Sequence, residues 1–259
     1  MKNIKEATVI LVCTDCENTR ILYHGIKDEI PVARIITELP VGKRIFIRRR
    51  LKKLGIWTTA GQLFFQAAVV PLIRKLSGKK VQGILTEKLL NNAPMPANKI
   101  TGLSSVNSEE FVRTVEAIQP DLILVNGTRI ISSQILTRIS CPIINVHVGI
   151  TPLYRGVHGA YWALANKDKD HCGVTVHAVD KGIDTGGILA QDIIEPGSKD
   201  NFITYPYLQF EKAIQLVKKV VPAVINNSFS FQQPPVGLSK LWYHPTIWQY
   251  LYNRFKGVK

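Results

Sequence analysis

Short apolar runs set between longer, helix-spaced stretches give the chain its pattern. Residues 8–13 (TVILVC) and 121–125 (DLILV) are nearly unbroken apolar segments, the signature of strands buried on both faces. Residues 142–147 (PIINVH), 173–179 and 187–194 read as further strands, 32–36 as another, and 99–101 as part of a weaker one. Ser108 has the chemistry of a helix N-cap: Glu109 and Glu110 follow in the first turn, Phe111, Val115 and Ile118 share one face, and Pro120 ends the run. A second helix is predicted over 207–225. Pro234 and Pro235 then break the pattern before a tail containing Trp242, Tyr243, Trp248, Tyr250, Tyr252 and Phe255. Alternating strands and helices predict an α/β domain with a largely parallel sheet over residues 1–233, followed by a C-terminal aromatic extension over 234–259. Ligands of open α/β sheets bind beyond the carboxyl ends of the strands, so the loops after 121–125 and after 143–146 are the places to look for a site.

Composition changes this picture in one place. With 46% hydrophobic and 20% charged residues, the chain is neither disordered nor of low complexity. Its net charge is +14, from 33 basic and 19 acidic residues. Eleven of the basic residues, from Lys43 to Lys80, lie between Leu39 and Thr86, where no acidic residue occurs. Outside that segment the balance is close to neutral. Ile47, Leu51 and Leu54 recur at helical spacing, with Arg44, Arg48 and Lys52 on another face. Twenty uncharged residues, 54–73, follow, with Thr58, Gln62 and Gln66 as a polar stripe and Gly55, Gly61 and Pro71 as interruptions. Residues 43–80 are therefore expected to form a basic helical insertion. Three readings stay open for it: an element packed on the domain with arginines in solvent or on substrate phosphates, an interfacial helix pair on anionic lipid, or a membrane span.

Cys13 and Cys16 form a C-x-x-C with no second pair, since Cys141 and Cys172 stand apart, so neither a disulfide framework nor a metal site is expected. The opening residues carry charges and no apolar leader core, which reads as a cytoplasmic protein. The first βα turn has no glycine-rich phosphate loop, and no P-loop, zincin or nucleophile-elbow motif occurs.

The densest chemistry lies in 145–156 and 174–186. On an extended strand Asn145 and His147 point to the same face, and Asp184 follows in a glycine-flanked loop after another strand. An amide donor, an imidazole and a carboxylate can stabilise an oxyanion and move a proton. No serine or cysteine nucleophile stands among them, which suits a transfer in which the substrate supplies the nucleophile. His158 and His177 lie nearby; a strand-end hydrogen bond is the simpler role for His177.

The string N-x-H-x-G-x-x-P-x-x-R-G from Asn145 to Gly156, followed by G-V-T-V-H from Gly173 and D-x-G-I-D-T-G from Asp180, resembles the signature of folate-dependent formyltransferases. The resemblance runs from about residue 121 to 194. It implies a Rossmann-like formyltransferase fold and transfer of a formyl group from N10-formyltetrahydrofolate to a primary amine. It also implies catalytic roles for Asn145, His147 and Asp184. The folate pocket would be formed by Gly127, Thr128, Arg129, Ile130 and Ile131 on one loop and Val179, Asp180, Lys181, Gly182 and Ile183 on another. Thr151 and Arg155 would serve the substrate, Arg155 either by contact or by bracing its loop.

Within that family the missing glycine turn lowers glycinamide ribonucleotide as substrate. The 34 residues after Ile225 are too few for the C-terminal barrel of the methionyl-tRNA enzymes. The expected substrate is thus a phosphate-bearing amino sugar, nucleotide- or lipid-linked, for surface polysaccharide, with a homodimer and peripheral membrane contact through residues 43–80 as further expectations. The alternatives are formylation of glycinamide ribonucleotide or methionyl-tRNA. A catalytically silent relative that binds membrane or nucleic acid is an alternative of another class.

Overall fold

The computed structural model describes residues 3–259; Met1 and Lys2, where the expectation of no leader begins, lie outside the described residues. Alternation along the buried strands explains their unbroken apolarity. In β1 (Val9–Cys13), Val9, Leu11 and Cys13 enter a core on one face of the sheet while Ile10 and Val12 enter a core on the other. Both cores therefore draw on the same five residues.

The sheet continues through β2 (Val32–Glu38), β3 (Ile100–Leu103), β4 (Leu122–Asn126) and β5 (Ile143–His147), all parallel to their neighbours. A two-residue strand, β6 (Arg155–Gly156), stands apart. Then β7 (Gly173–Ala178) and β8 (Ile188–Ile193) complete the sheet in antiparallel fashion. The order is β3-β2-β1-β4-β5-β7-β8, so the chain reverses its direction of travel across the sheet between β1 and β4. Such a reversal opens a crevice at the carboxyl ends of those two strands. The expected largely parallel α/β sheet is present; only β7 runs against the rest, since it is antiparallel to both β5 and β8 and this leaves β8 parallel to the first five strands.

Helices cover both faces. On one side lie α1 (Glu17–Ile26) and, later in the chain, the long helix Tyr205–Ile225; the other core receives Phe111, Val112 and Val115 from the helix Glu109–Ile118, whose N-terminus is capped by Ser108 Oγ accepting from the Phe111 amide at 3.2 Å. The basic segment is one long arm. Helix α2 (Lys43–Phe64) turns at Gly55 (φ 78°), passes through a π-helical turn at Phe65–Val69 and runs on as α3 (Val70–Glu87). It extends seven residues past the expected end at residue 80. Glu109–Ile118 is α4, Ser133–Leu136 α5, Gly159–Ala165 α6 and Tyr205–Ile225 α7.

The aromatic extension is built into the domain. Strand β9 (Leu241–Trp242) pairs with β6, and α8 (Ile247–Phe255) packs on the arm. Thr246 and Gln249 form a reciprocal capping box at the start of α8. Buried Tyr250 lies 4.9 Å from the ring of fully buried Phe65, so arm and tail share one core.

Candidate active site

Strand register assembles the site. Asn145 and His147 leave the same face of β5; antiparallel pairing sets Asn145 opposite His177 and His147 opposite Thr175 on β7. The turn between β7 and β8 then carries Asp184 over them. Asp180 shapes that turn by accepting hydrogen bonds from the Gly182 amide (2.9 Å) and Thr185 Oγ1 (2.7 Å). Gly186 presses so closely on β7 that a Cβ would sit 1.8 Å from the Ala178 carbonyl oxygen. Asp184 adopts φ 52°, a left-handed conformation that aspartate tolerates better than most residues.

Four groups converge there. His147 Nδ1 is 3.4 Å from Asp184 Oδ2, and the Gly156 amide donates to the same oxygen at 2.9 Å. Asn145 Nδ2 donates to His177 Nε2 at 3.1 Å and, more weakly, to Asp184 Oδ1 at 3.4 Å. Carbonyl partners fix both imidazoles. His147 Nε2 donates to the Tyr154 carbonyl (2.8 Å) and His177 Nδ1 to the Ala178 carbonyl (2.7 Å). With Nδ1 so engaged, His177 turns its Nε2 towards the Asn145 amide. In neutral His147 the lone pair is on Nδ1, so Nδ1 is the atom left to exchange a proton with a substrate.

Burial depresses the His147 pKa below the usual value, although Asp184 opposes it. Burial also pushes the Asp184 carboxyl up. His147, His177 and the Gly156 amide together outweigh that and hold it at about 2. At neutral pH the centre therefore contains a carboxylate beside a neutral imidazole.

These residues form the floor of a cleft of about 550 Å³ at the crevice between β1 and β4. Gly127, Thr128, Arg129, Ile130 and Ile131 line one side and Val179, Asp180, Gly182 and Ile183 the other. Ile130 offers an exposed apolar wall, whereas Ile131 is buried. Lys181 is exposed and is not part of the cleft lining. Arg129 lines the cleft but is held from behind: its guanidinium pairs with buried Glu38 at 3.4 Å and donates to the Leu39 carbonyl. Thr151 does not reach the cleft. It is buried, with its amide donating to Thr175 Oγ1 and its carbonyl accepting from Gln191, and this makes it a brace of the loop rather than a substrate contact. Arg155 also braces, donating to the Ile183 carbonyl at 2.9 Å next to Asp184. Cys13 is buried with its thiol pushed up to about 12 by burial, and Cys16 is exposed beside the cleft.

A chamber of about 320 Å³ adjoins the cleft and shares Cys16, Asn18, His158, Pro206 and His244 with it. Phe65, Gln66, Val70 and Arg74 of the arm form its far wall. His158 and His244 share one proton across 2.9 Å. Burial lowers both, with nearby Arg50 adding to the effect, His158 to about 4 and His244 to about 2.

A formyl transferase family model matches residues 64–204, more than half of the chain. The chain belongs to that family. Among curated relatives, the chain is 38% identical over 125 residues to a methionyl-tRNA formyltransferase of Nitratiruptor sp., covering 48% of this chain and 39% of the relative. It is 32% identical over 142 residues to a methionyl-tRNA formyltransferase of Desulforamulus reducens, covering 54% and 44%. The chain thus spans less than half the length of these relatives. Among solved structures it resembles a 4-N formyltransferase from Francisella tularensis (TM-score 0.54, 16% identity, 88% of this chain and 74% of that one). It likewise resembles a phosphoribosylglycinamide formyltransferase from Streptococcus pneumoniae (TM-score 0.53, 20% identity, 84% and 98%). At these identities the likeness is one of fold. The Rossmann-like formyltransferase fold implied by the motifs is the observed one. N10-formyltetrahydrofolate is the family's one-carbon donor. The cleft fits it in size and character, with an apolar wall at Ile130 and Val179 between two loops.

Proposed function

We propose that this formyl transferase moves a formyl group from N10-formyltetrahydrofolate to the primary amine of a small phosphate-bearing amino sugar. The observation that carries the reaction is the convergence of Asn145, His147 and Asp184 within 3.4 Å on the floor of the cleft. When bound, N10-formyltetrahydrofolate supplies the formyl carbon that the amine attacks. Asn145 exchanges its long hydrogen bond to Asp184 for one to the formyl oxygen as negative charge develops there. His147 Nδ1 accepts the proton the amine releases, and Asp184 stabilises the resulting imidazolium. The proton then returns from Nδ1 to the departing nitrogen, leaving the side chains as they began.

The cleft-lining residues of the two loops named above are assigned to the folate, and the adjoining chamber to the amine substrate. The chamber's mixture of Asn18, Gln66, Phe202 and Tyr207 suits a sugar, and Arg74 at its wall suits a phosphate. A second reading, methionyl-tRNA as the amine, is favoured by the names of the sequence relatives. Transfer of labelled formyl groups to an amino-sugar nucleotide, glycinamide ribonucleotide and methionyl-tRNA separates the readings. Label in the sugar is expected. Label in methionyl-tRNA alone would replace the sugar with tRNA, and transfer unaffected by His147→Ala would overturn the mechanism.

A further inference from the structure

The arm has a second face that the cleft does not use. Thr59, Gln62, Phe65, Ser77, Val81 and Ile84 turn inward and are buried against the domain. On the opposite side Trp57, Ala60, Phe64, Ala68, Leu72 and Leu76 recur every three or four residues, and all six are exposed. Trp57 is 80% exposed and Leu76 76%. This apolar stripe is about 30 Å long at the ordinary rise of a helix. Basic residues flank it at both ends: Arg48, Arg49 and Lys52 before it, and Lys75 and Lys79 on either side of Leu76 at its far end. The helical run has the length and composition of a membrane-crossing segment, yet less than a quarter of its apolar window is buried in the domain.

We infer that this outer face of α2 and α3 docks on an anionic lipid bilayer, lying in the interface with Trp57, Phe64, Leu72 and Leu76 inserted and the flanking lysines and arginines on the headgroups. Charge and contact pattern select this partner. A second copy of the arm would bring the same acid-free basic clusters face to face, which is repulsive. A nucleic acid would use the charges and leave the apolar stripe in water, since phosphate contacts reward only the basic groups. Interfacial binding uses both, with a tryptophan at headgroup depth and cations near anionic lipid. Spanning is opposed by the inward face. Gln62 donates to the His244 carbonyl at 2.7 Å, Asn201 to Ser77 at 2.9 Å, and Lys80 lies 3.6 Å from Asp200. Crossing the bilayer would break these bonds and leave the polar groups unsatisfied in hydrocarbon.

The full-length chain, without substrates, is mixed with vesicles of phosphatidylcholine alone or of phosphatidylcholine with phosphatidylglycerol, and binding is read by co-sedimentation. The chain is expected to sediment with the anionic vesicles and not the neutral ones, with a blue-shifted tryptophan emission that Trp57→Phe removes. Each of Arg49→Gln, Lys52→Gln and Lys75→Gln should weaken binding by roughly five-fold. Trp57→Glu with Leu76→Glu should abolish it and leave formyl transfer to a soluble amine intact. Failure to bind the anionic vesicles, or equal binding to both kinds, overturns the inference. So does a dimer in solution that Trp57→Glu dissociates, or a tRNA affinity that Trp57→Glu destroys. Because binding is measured without substrates, its failure leaves the proposed transfer reaction untouched.

Discussion

Asp184 is held by a backbone amide, an imidazole and an asparagine, and each contact can be removed separately. Asp184→Asn keeps the shape and the αL-tolerant side chain but loses the charge that stabilises a protonated His147. A fall in kcat of about 10²–10⁴-fold is expected, with thermal stability little changed. His177→Ala frees the Asn145 amide to rotate; loss of that one hydrogen bond should lower kcat about ten-fold while the KM for folate stays put. Gly156→Ala is expected to do more. At φ +94° its new methyl would lie 2.3 Å from the Trp242 carbonyl oxygen, and the amide that holds Asp184 must shift. A loss of roughly 1–3 kcal/mol in urea unfolding should accompany the fall in kcat. Asn145, His147 and Asp184 are legible in the sequence because strand alternation and a recognisable string expose them. His177 is visible there as a strand-end hydrogen-bonding residue, but its pairing with Asn145 is not, because it depends on a β5–β7 register that local pattern does not contain. The partner of Arg129 is equally opaque: Glu38 lies ninety-one positions earlier, at the end of a strand two places away in the sheet.

At the scale of elements, the strands and the Ser108-capped helix follow from local periodicity and local hydrogen bonding, and they stand within a residue or two of their expected bounds. The arm shows where that reasoning stops. Its helical spacing and charge are visible in the sequence, but which face turns inward is decided by α7, α8 and the residues around Asp200. Phe65 illustrates the point. It looks like one apolar residue among twenty uncharged ones, yet it is fully buried and contacts both Phe202 and Tyr250. Phe65→Ala should cost about 3–5 kcal/mol and lower Tm, whereas Phe64→Ala on the exposed face should change it little. Differential scanning calorimetry of the two variants checks this contrast between adjacent positions.

For the whole molecule, the +14 charge resolves into a nearly neutral α/β body and one basic arm. Protonation links the two through the chamber. His147, His158 and His244 all have pKa values lowered below their ordinary ones by burial. The unfolded chain therefore binds more protons than the folded one below about pH 6.5, and stability falls as pH drops from there towards 4. The slope contributed by each histidine is at most about 1.4 kcal/mol per pH unit. His158→Gln should flatten the profile between pH 6.5 and 4, as measured by urea midpoints. An unchanged profile would mean that this pair stays protonated alike in both states.

Gly156 is gripped on one side by β9 and on the other by Asp184, so the last strand of the chain and the carboxylate share a single peptide unit. Strand β9 contributes only two residues to its ladder and sits outside the main sheet. Short peripheral pairings of this kind open at lower free energy than a seven-stranded core. The molecule is thereby wired to fail in sequence. In rising urea, turnover should vanish while far-ultraviolet ellipticity is still native, because the latch beneath Asp184 lets go before the scaffold does.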